Sequence, residues 1–306
     1  MAKERLPIVC AINANYALPL IVMLHSLKEH LNPCYQAVLY LVHSDLNDDL
    51  QAHISRIVEA NFIDPAANLV AELPGSPRFP PEAAYPLLLP DLLPPSLDRV
   101  IFLDADVLVL DDLAQLWATS FGDRAMAAAQ DMAIPLCGSP RGVKEARECG
   151  IPENAIYFNC GVMLIHLNAW REREVKRRAL GYLQRVGPRA DFLHQEALNA
   201  VLWNDCAHLD PRWNLLGSLA GRSFAKGDQS ACQNPGIVHF AGRFKPWRSP
   251  TGGPFYERYR HFLSQATQFV PAPEPGFADR LRSLYDLYLR EFCYGCERGL
   301  WNHRVI

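Results

Sequence analysis

The stretch Arg99-Val100-Ile101-Phe102-Leu103-Asp104-Ala105-Asp106, continued by Val107-Leu108-Val109-Leu110-Asp111-Asp112-Leu113, decides how the rest of the chain is read. Val100 to Leu103 is an unbroken apolar run that predicts a strand buried on both faces, the kind found in parallel sheets. Asp104 and Asp106 stand two residues apart in extended chain, so their side chains project to the same side. In open α/β sheets, ligands bind at the carboxyl ends of the strands. Two carboxylates converging there repel each other and lose water, which is unfavourable without a cation between them. A hard divalent ion meets that need and still accepts diphosphate oxygens. The plainer reading is a strand that ends in a turn capped by its aspartates. Asp111-Asp112 is read in that plain way, as the N-cap of a helical turn at Leu113–Trp117.

Toward the N-terminus, strand and helix signals alternate. Leu6–Ala11 reads as a buried strand. Leu18–Leu31 reads as a helix, with Leu20, Met23, Leu24, Leu27 and Leu31 at helical spacing before Asn32-Pro33. Ala37–Val42 is a second strand, Asn47–Asn61 an amphipathic helix, and Asn68–Glu72 a weaker third strand. This βαβαβ order predicts an α/β fold with a mostly parallel central sheet. From Pro74 to Pro95 there are eight prolines in 22 residues, so an irregular loop is expected there, around a short helix at Glu82–Leu89. Downstream, Met126–Gln130, Tyr157–His166 and Ile237–Phe240 read as strands. Val143–Cys149 reads as a short polar helix, Leu167–Val186 as a basic helix and His194–Leu202 as a shorter one. Pro271–Gly276 is linker-like and Phe277–Phe292 helical. The expected division is one α/β domain over 1–262 and a helical C-terminal extension over 263–306.

The 306 residues are 49% hydrophobic and carry a net charge of −3. That suffices for a sizeable core and leaves no electrostatic footprint for nucleic acid. The first apolar run is broken by Asn13 and Asn15, too early for a signal peptide, and nothing approaches the ~20 apolar residues of a membrane span. The expectation is a cytoplasmic protein. Nine cysteines at irregular spacing fit reduced thiols. Cys293-x-x-Cys296 has His303 nearby but no obvious fourth ligand for zinc. The C-terminal segment mixes aromatic residues with Arg280, Arg282, Arg290, Arg298 and Arg304, a composition that allows peripheral contact with the inner membrane surface. Packing back on the domain or dimer contact is the other reading; the oligomeric state is left open.

Five segments, in order, resemble glycosyltransferase family 8, which includes the glycogenins and the bacterial α-galactosyl- and α-glucosyltransferases of lipopolysaccharide cores. They are PIVCAINANYALPLIVMLHSL (7–27), AAYPLLLPDLLPPSLDRVIFLDADVLVLDDLAQLW (83–117), YFNCGVMLIHLNAWR (157–171), HQEALNAVL (194–202) and VHFAGRFKPW (238–247). The likeness covers roughly residues 7 to 260. It implies a GT-A, Rossmann-like nucleotide-binding fold and retention of anomeric configuration. It also implies manganese, with magnesium as the alternative, and a UDP-hexose donor carrying galactose or glucose. The acceptor it implies is a glycan or a lipid-linked, lipopolysaccharide-type molecule. Matched by position, Asp104, Asp106 and His239 are the metal ligands, with Ala105 between the carboxylates in the same cofactor-binding segment. Gly242 and Lys245 match the diphosphate grip. Asn13 and Asn15 fall where the family holds uracil and ribose. Asn159, Gly161 and Gln195 line the sugar, Gln195 on the face where a nucleophile approaches. Asp131 falls near the acceptor side and His194 beside the sugar. Each also has a plain structural reading: His239 as a satisfied strand histidine, Asn159 as a strand-entry cap, Lys245 as a solvated charge, Trp247 as core.

Three positions depart from the family pattern. Leu87 stands where a basic residue is usual, two after Tyr85. His194 replaces the aspartate of the Asp-Gln pair, and Asn13 replaces a first-strand aspartate. The basic residue and the Asp-Gln aspartate normally sit together near the donor sugar. Losing both keeps local charge balanced, so the expectation is a remodelled sugar pocket. The amide of Asn13 can accept from uracil N3–H but can also serve another base edge. Gln195 is a poor nucleophile, and Glu196 points elsewhere if the segment is helical, so same-face attack is expected rather than double displacement. The competing functions are a nucleotidyltransferase, which would usually show a Gly-rich basic loop after the first strand, and a catalytically silent nucleotide-sugar or glycan-binding protein on the same fold. A purely structural protein is the third.

Overall fold

The computed structural model describes residues 3–75, 79–217, 234–242, 245–248 and 255–272. The linker-like stretch from residue 273, the helix expected at 277–292 and the Cys293/Cys296 pair lie outside them.

A seven-stranded sheet forms the centre. Its strands are β1 (Glu4–Ile12), β2 (Tyr35–His43), β3 (Glu59–Ile63), β4 (Arg99–Leu103), β6 (Met126–Gln130), β7 (Phe158–His166) and β8 (Cys206–His208). They lie in the order β3-β2-β1-β4-β7-β6-β8. The first four are parallel; β7 runs against both β4 and β6, and β8 is again parallel to β6. A smaller sheet is built from β5 (Val107–Val109), β9 (Leu215–Leu216) and β10 (Ile237–His239), in the order β5-β10-β9.

The apolar runs are continuous because both faces of the central strands are covered. Ile8, Ile101, Leu103, Val162 and Leu164 point into one core, with α1 (Ala17–His30), the small sheet and the helix Tyr256–Ala266. Val9, Val100, Phe102, Met163 and Ile165 point into the other. After α1 in the chain come the helices α2 (Asp48–Ile57), α3 (Ala67–Ala71), α4 (Leu89–Leu92) and α5 (Leu113–Trp117), and the second core is closed by the 3₁₀ stretch Pro81–Leu88, α6 (Leu167–Glu172), α7 (Val175–Val186) and α8 (Leu193–Leu202). Each large aliphatic side chain buried this way contributes about 1.5–3 kcal/mol. The buried Ser26 ties α1 to the small sheet: its hydroxyl donates to the Met23 carbonyl at 2.7 Å and accepts from Val109 N–H at 3.1 Å.

Four local expectations are corrected. Helix α2 (Asp48–Ile57) stops before residue 58, and the third strand is Glu59–Ile63. Ile54, Ile57 and Val58 fit helical spacing, but pairing with β2 and ion pairing of Glu59 with Arg5 draw the chain into the sheet. Asn68–Glu72, read as a strand, falls largely on a short helix, Ala67–Ala71. Residues 143–149 form successive turns rather than a helix. The expected Leu167–Val186 helix is broken at Glu174, whose φ of 51° lies in the left-handed region. The last described helix, Tyr256–Ala266, runs across residue 262 and packs on α1. Among the described residues, no helix is long and apolar enough to cross a membrane.

Candidate active site

β4 ends where its backbone changes partner. Asp104 N–H donates to the Gly161 carbonyl at 2.8 Å, Ala105 and Asp106 turn, and the chain leaves as β5 into the small sheet. There Val107 stands opposite His239, and Phe240 N–H donates to the Asp106 carbonyl at 2.9 Å. This ladder carries His239 back over the turn. Its Nε2 lies 3.5 Å from Asp104 Oδ2 and 3.3 Å from Asp106 Oδ1. One ligand atom from each of the three lies within 4.8 Å of the others, and they are the one such group among the described residues. The approach depends on Gly161. A β-carbon there would meet His239 Cε1 at 2.2 Å and Asp104 Oδ2 at 3.0 Å.

Lys245 completes the cluster. Its buried ammonium contacts Asp106 Oδ2 and donates to the Phe240 carbonyl at 3.0 Å. The rings of Trp247 and Tyr16 lie 5.6 and 6.0 Å from it, within cation–π reach. Gly242, three residues before Lys245, has a φ of 96°, a conformation that favours glycine. An ammonium has three donors, and among the described residues two are taken, which leaves one for an anion.

The charges are unevenly tuned. Burial, then repulsion from Asp106, pushes the Asp104 carboxyl up to about 6, although His239 and Lys245 oppose it. Burial also acts to raise Asp106, but Lys245 and His239 hold it below the usual carboxylate range. Desolvation opposes the charged forms of His239 and Lys245. Asp106 and Asp104 together, with Tyr16 as well for Lys245, more than offset it, so both are raised. Two carboxylate oxygens and an imidazole nitrogen form a donor set suited to Mn²⁺, with Mg²⁺ as a poorer match to the nitrogen. The residues fit a divalent ion, and the repulsion that raises Asp104 is what such an ion relieves.

A second polar group lies across β7. Asp131 is 3% exposed. Its Oδ1 accepts from Ala133 and Ile134 N–H at 2.8 and 2.9 Å, and its Oδ2 from Asn159 Nδ2 and Gln195 Nε2 at 2.8 and 3.2 Å. Asn159 Oδ1 accepts from Gly161 N–H at 2.9 Å and Asn214 Nδ2 at 2.8 Å. Gln195 Oε1 accepts from Cys160 N–H at 3.0 Å. Asp131, Asn159, Gly161 and Gln195 therefore form one hydrogen-bonded group. Asp131 anchors it, all four of its accepted bonds being internal.

His194 stands outside that group. Its Nδ1 lies 2.5 Å from the Ala83 carbonyl, and its Nε2 is buried with no partner among the described residues. Leu87 is fully buried in the 3₁₀ stretch against which α8 packs. Glu196 points into the core, accepting from Tyr182 Oη at 2.6 Å, Asp191 N–H at 2.7 Å and Lys144 N–H at 3.0 Å. Asn13 and Asn15 lie just past the carboxyl end of β1, the neighbour of β4. Asn13 Oδ1 accepts from Asn15 N–H at 3.2 Å, Asn13 is half-buried, and Asn15 is exposed. Asp112 caps its helix through Ala114 N–H at 3.0 Å, as the plain reading has it.

Three residues of the site escaped the sequence reading. Asn199, one turn after Gln195 on α8, exchanges hydrogen bonds with the backbone of Phe158 and so pins the start of β7. The four-residue spacing from Gln195 is the signal that pointed to it. Asp45 accepts from Ala14 N–H at 2.6 Å beside the asparagines, in a loop with no pattern. Asn214 ends the 3₁₀ turn Pro211–Asn214 and accepts at Oδ1 from His239 Nδ1, 3.0 Å away. No local signal marks it.

The sequence model of glycosyl transferase family 8 matches residues 7–251. General stress protein A of Bacillus subtilis is 29% identical over 280 residues, covering 85% of this chain and 94% of that protein. The probable galacturonosyltransferase-like protein 6 of Arabidopsis thaliana is 33% identical over 171 residues, and the match spans about half of each chain, 52% and 48%. The solved structure of the galactosyltransferase LgtC with donor and acceptor sugar analogs superposes with a TM-score of 0.72 at 22% identity, covering 88% of this chain and 98% of that one. That likeness shows a shared fold, the GT-A fold.

Proposed function

The chain belongs to glycosyl transferase family 8, and from that premise we propose that it transfers a hexose from a UDP-linked donor to a glycan or lipid-linked acceptor, with retention and with Mn²⁺ bound by Asp104, Asp106 and His239. The observation that carries the reading is the convergence of those three side chains and Lys245 at the carboxyl end of β4, beside the end of β1.

A bound ion would supply Lewis-acid stabilisation of the departing diphosphate. The chain's own residues account for the rest. Lys245 acts as a point charge toward a phosphate oxygen, through the N–H that no described residue takes up. The first-strand asparagines face the nucleoside end. Gln195 has its carbonyl engaged by Cys160 N–H, so it offers N–H rather than a base. Among the described residues, neither carboxylate beside Gln195 is available as a nucleophile: Glu196 is turned into the core, and Asp131 already accepts four bonds. This supports same-face attack, with the leaving phosphate accepting the acceptor's proton. Galactose and glucose are the first donors to screen. Galacturonic acid joins them because of the plant relatives' names, and because Leu87 and His194 put no opposed charge pair beside the sugar. Action at the inner face of a membrane, through the segment after residue 262, rests on composition alone.

The test is calorimetric titration of UDP, GDP, CMP and ADP, each with and without Mn²⁺, on wild type and Asp106→Asn, followed by UDP-sugar hydrolysis. Metal-dependent UDP binding lost in Asp106→Asn, with slow sugar release, is expected. Absence of any nucleotide binding overturns the reading; binding without hydrolysis or transfer favours the silent-binding alternative.

A further inference from the structure

The polar side chains of the two halves of the site form a single string: His239, Asn214, Asn159, Asp131, Gln195. The first four are at most 6% exposed, so their hydrogen bonds are not shared with bulk water. The direction of each bond follows from groups that have no choice. An ionised carboxylate only accepts, so Asn159 presents its NH₂ to Asp131. A backbone N–H only donates, so the Asn159 atom facing Gly161 N–H is oxygen. Both constraints agree. The Asn214 atom 2.8 Å from that oxygen must then be its NH₂. The other end of Asn214, facing His239 Nδ1 at 3.0 Å, must be its carbonyl oxygen. His239 therefore carries a proton on Nδ1, and Nε2 is the nitrogen turned to Asp104 and Asp106.

We propose that Asn214 is a positioning residue that fixes the ring orientation and Nδ1–H form of His239, so that Nε2 is the nitrogen offered to a divalent cation. Resting on the metal-site reading above, the assignment extends it to a residue that touches neither cation nor sugar. Partners of this kind orient metal-bound imidazoles through their second nitrogen. Position 214 is reached through tertiary structure. Asp210 caps the 3₁₀ turn through Arg212 N–H, the turn delivers Asn214, and the next two residues pair as β9 with β10, which carries His239. The string also joins the metal end to Gln195 at the sugar end.

The experiment needs no turnover. In metal-free full-length protein, ¹⁵N-edited NMR reads the His239 Nδ1–H resonance, assigned by its loss in His239→Gln. Mn²⁺ affinity in the presence of UDP is read by electron paramagnetic resonance. The variants are Asn214→Asp, which keeps an acceptor toward His239 while giving up the N–H donated to Asn159, and Asn214→Leu, which removes both. Wild type is expected to show a slowly exchanging Nδ1–H. Asn214→Leu should lose it and bind Mn²⁺ about 10–100-fold more weakly. Asn214→Asp should keep both within about threefold. A wild-type His239 whose only ring proton is on Nε2 overturns the proposal without any variant. So does an Asn214→Leu protein with unchanged resonance and affinity, or equal loss of affinity in both variants. If wild type binds no Mn²⁺, the metal reading fails, while the resonance still decides the role of Asn214.

Discussion

Gly161 and His239 meet through the space a β-carbon would fill: a methyl group on residue 161 would lie 2.2 Å from His239 Cε1 and 2.5 Å from its Nδ1. The ring sits on the backbone of β7, and Gly161 also gives its carbonyl to Asp104 N–H. The first prediction follows. Gly161→Ala must push His239 off Asn214 or off the carboxylates, and overpacking of this kind costs about 1–3 kcal/mol. Metal-free chemical denaturation should show that loss. Mn²⁺ titration should show affinity down at least about tenfold, because the imidazole is the ligand displaced. Unchanged metal affinity would separate His239 from the metal site.

A cation held at the proposed site would compete with Lys245 for the Asp106 carboxylate. The ammonium contacts Asp106 Oδ2, so removing it frees that oxygen and removes the positive charge beside the ion. Lys245→Met is expected to bind Mn²⁺ alone at least as tightly as wild type. The same variant should bind UDP with Mn²⁺ about tenfold or more weakly, a charged hydrogen bond being worth roughly 1.5–3 kcal/mol. Paired calorimetric titrations, with and without nucleotide, read the two effects separately. If both affinities fall together, Lys245 acts through the local structure rather than on the diphosphate.

Glu196 is the nearest acidic residue in sequence to the sugar face, yet it holds Tyr182, Lys144 and Asp191 in the core. Glu196→Gln should lower stability by about 1–3 kcal/mol, since an amide cannot accept from all three donors. Transfer by the folded variant should stay within about tenfold of wild type, where loss of a true nucleophile costs orders of magnitude. Denaturant melts and initial rates measure the two. A trapped glycosyl adduct on Glu196 would refute same-face attack.

His194 predicts a pH dependence of stability. Burial holds its folded imidazole down at about 4, despite the bond to the Ala83 carbonyl, while the unfolded side chain titrates near about 6.5. The unfolded state therefore takes up the proton first. The contribution is fully present above about 6.5 and is lost as pH falls through the folded value, at most roughly 3 kcal/mol. Denaturation of wild type between pH 7 and 4 should show that decline, and His194→Gln should flatten it. Equal slopes in the two proteins would show that another group carries it.

The amino-acid sequence determined much of this protein by itself. The apolar runs at residues 6–11, 37–42 and 100–103 are strands because a sheet covered on both faces demands uninterrupted hydrophobicity. Asp104 and Asp106 were legible because a charge pair at such a strand's carboxyl end has few uses without a cation. His239, Gly161 and Lys245 were legible only as pieces of a family pattern. Tertiary structure decided the rest. Residues 59–63 became a strand through pairing with β2, where local periodicity favoured helix. Asp131 drew on partners 28 and 64 residues away and became an anchor. Asn214, 25 residues before His239, became its partner because β9 and β10 pair. Periodicity and propensity report the few residues on either side of a position. A hydrogen bond between side chains brought together by sheet pairing leaves no trace at that range.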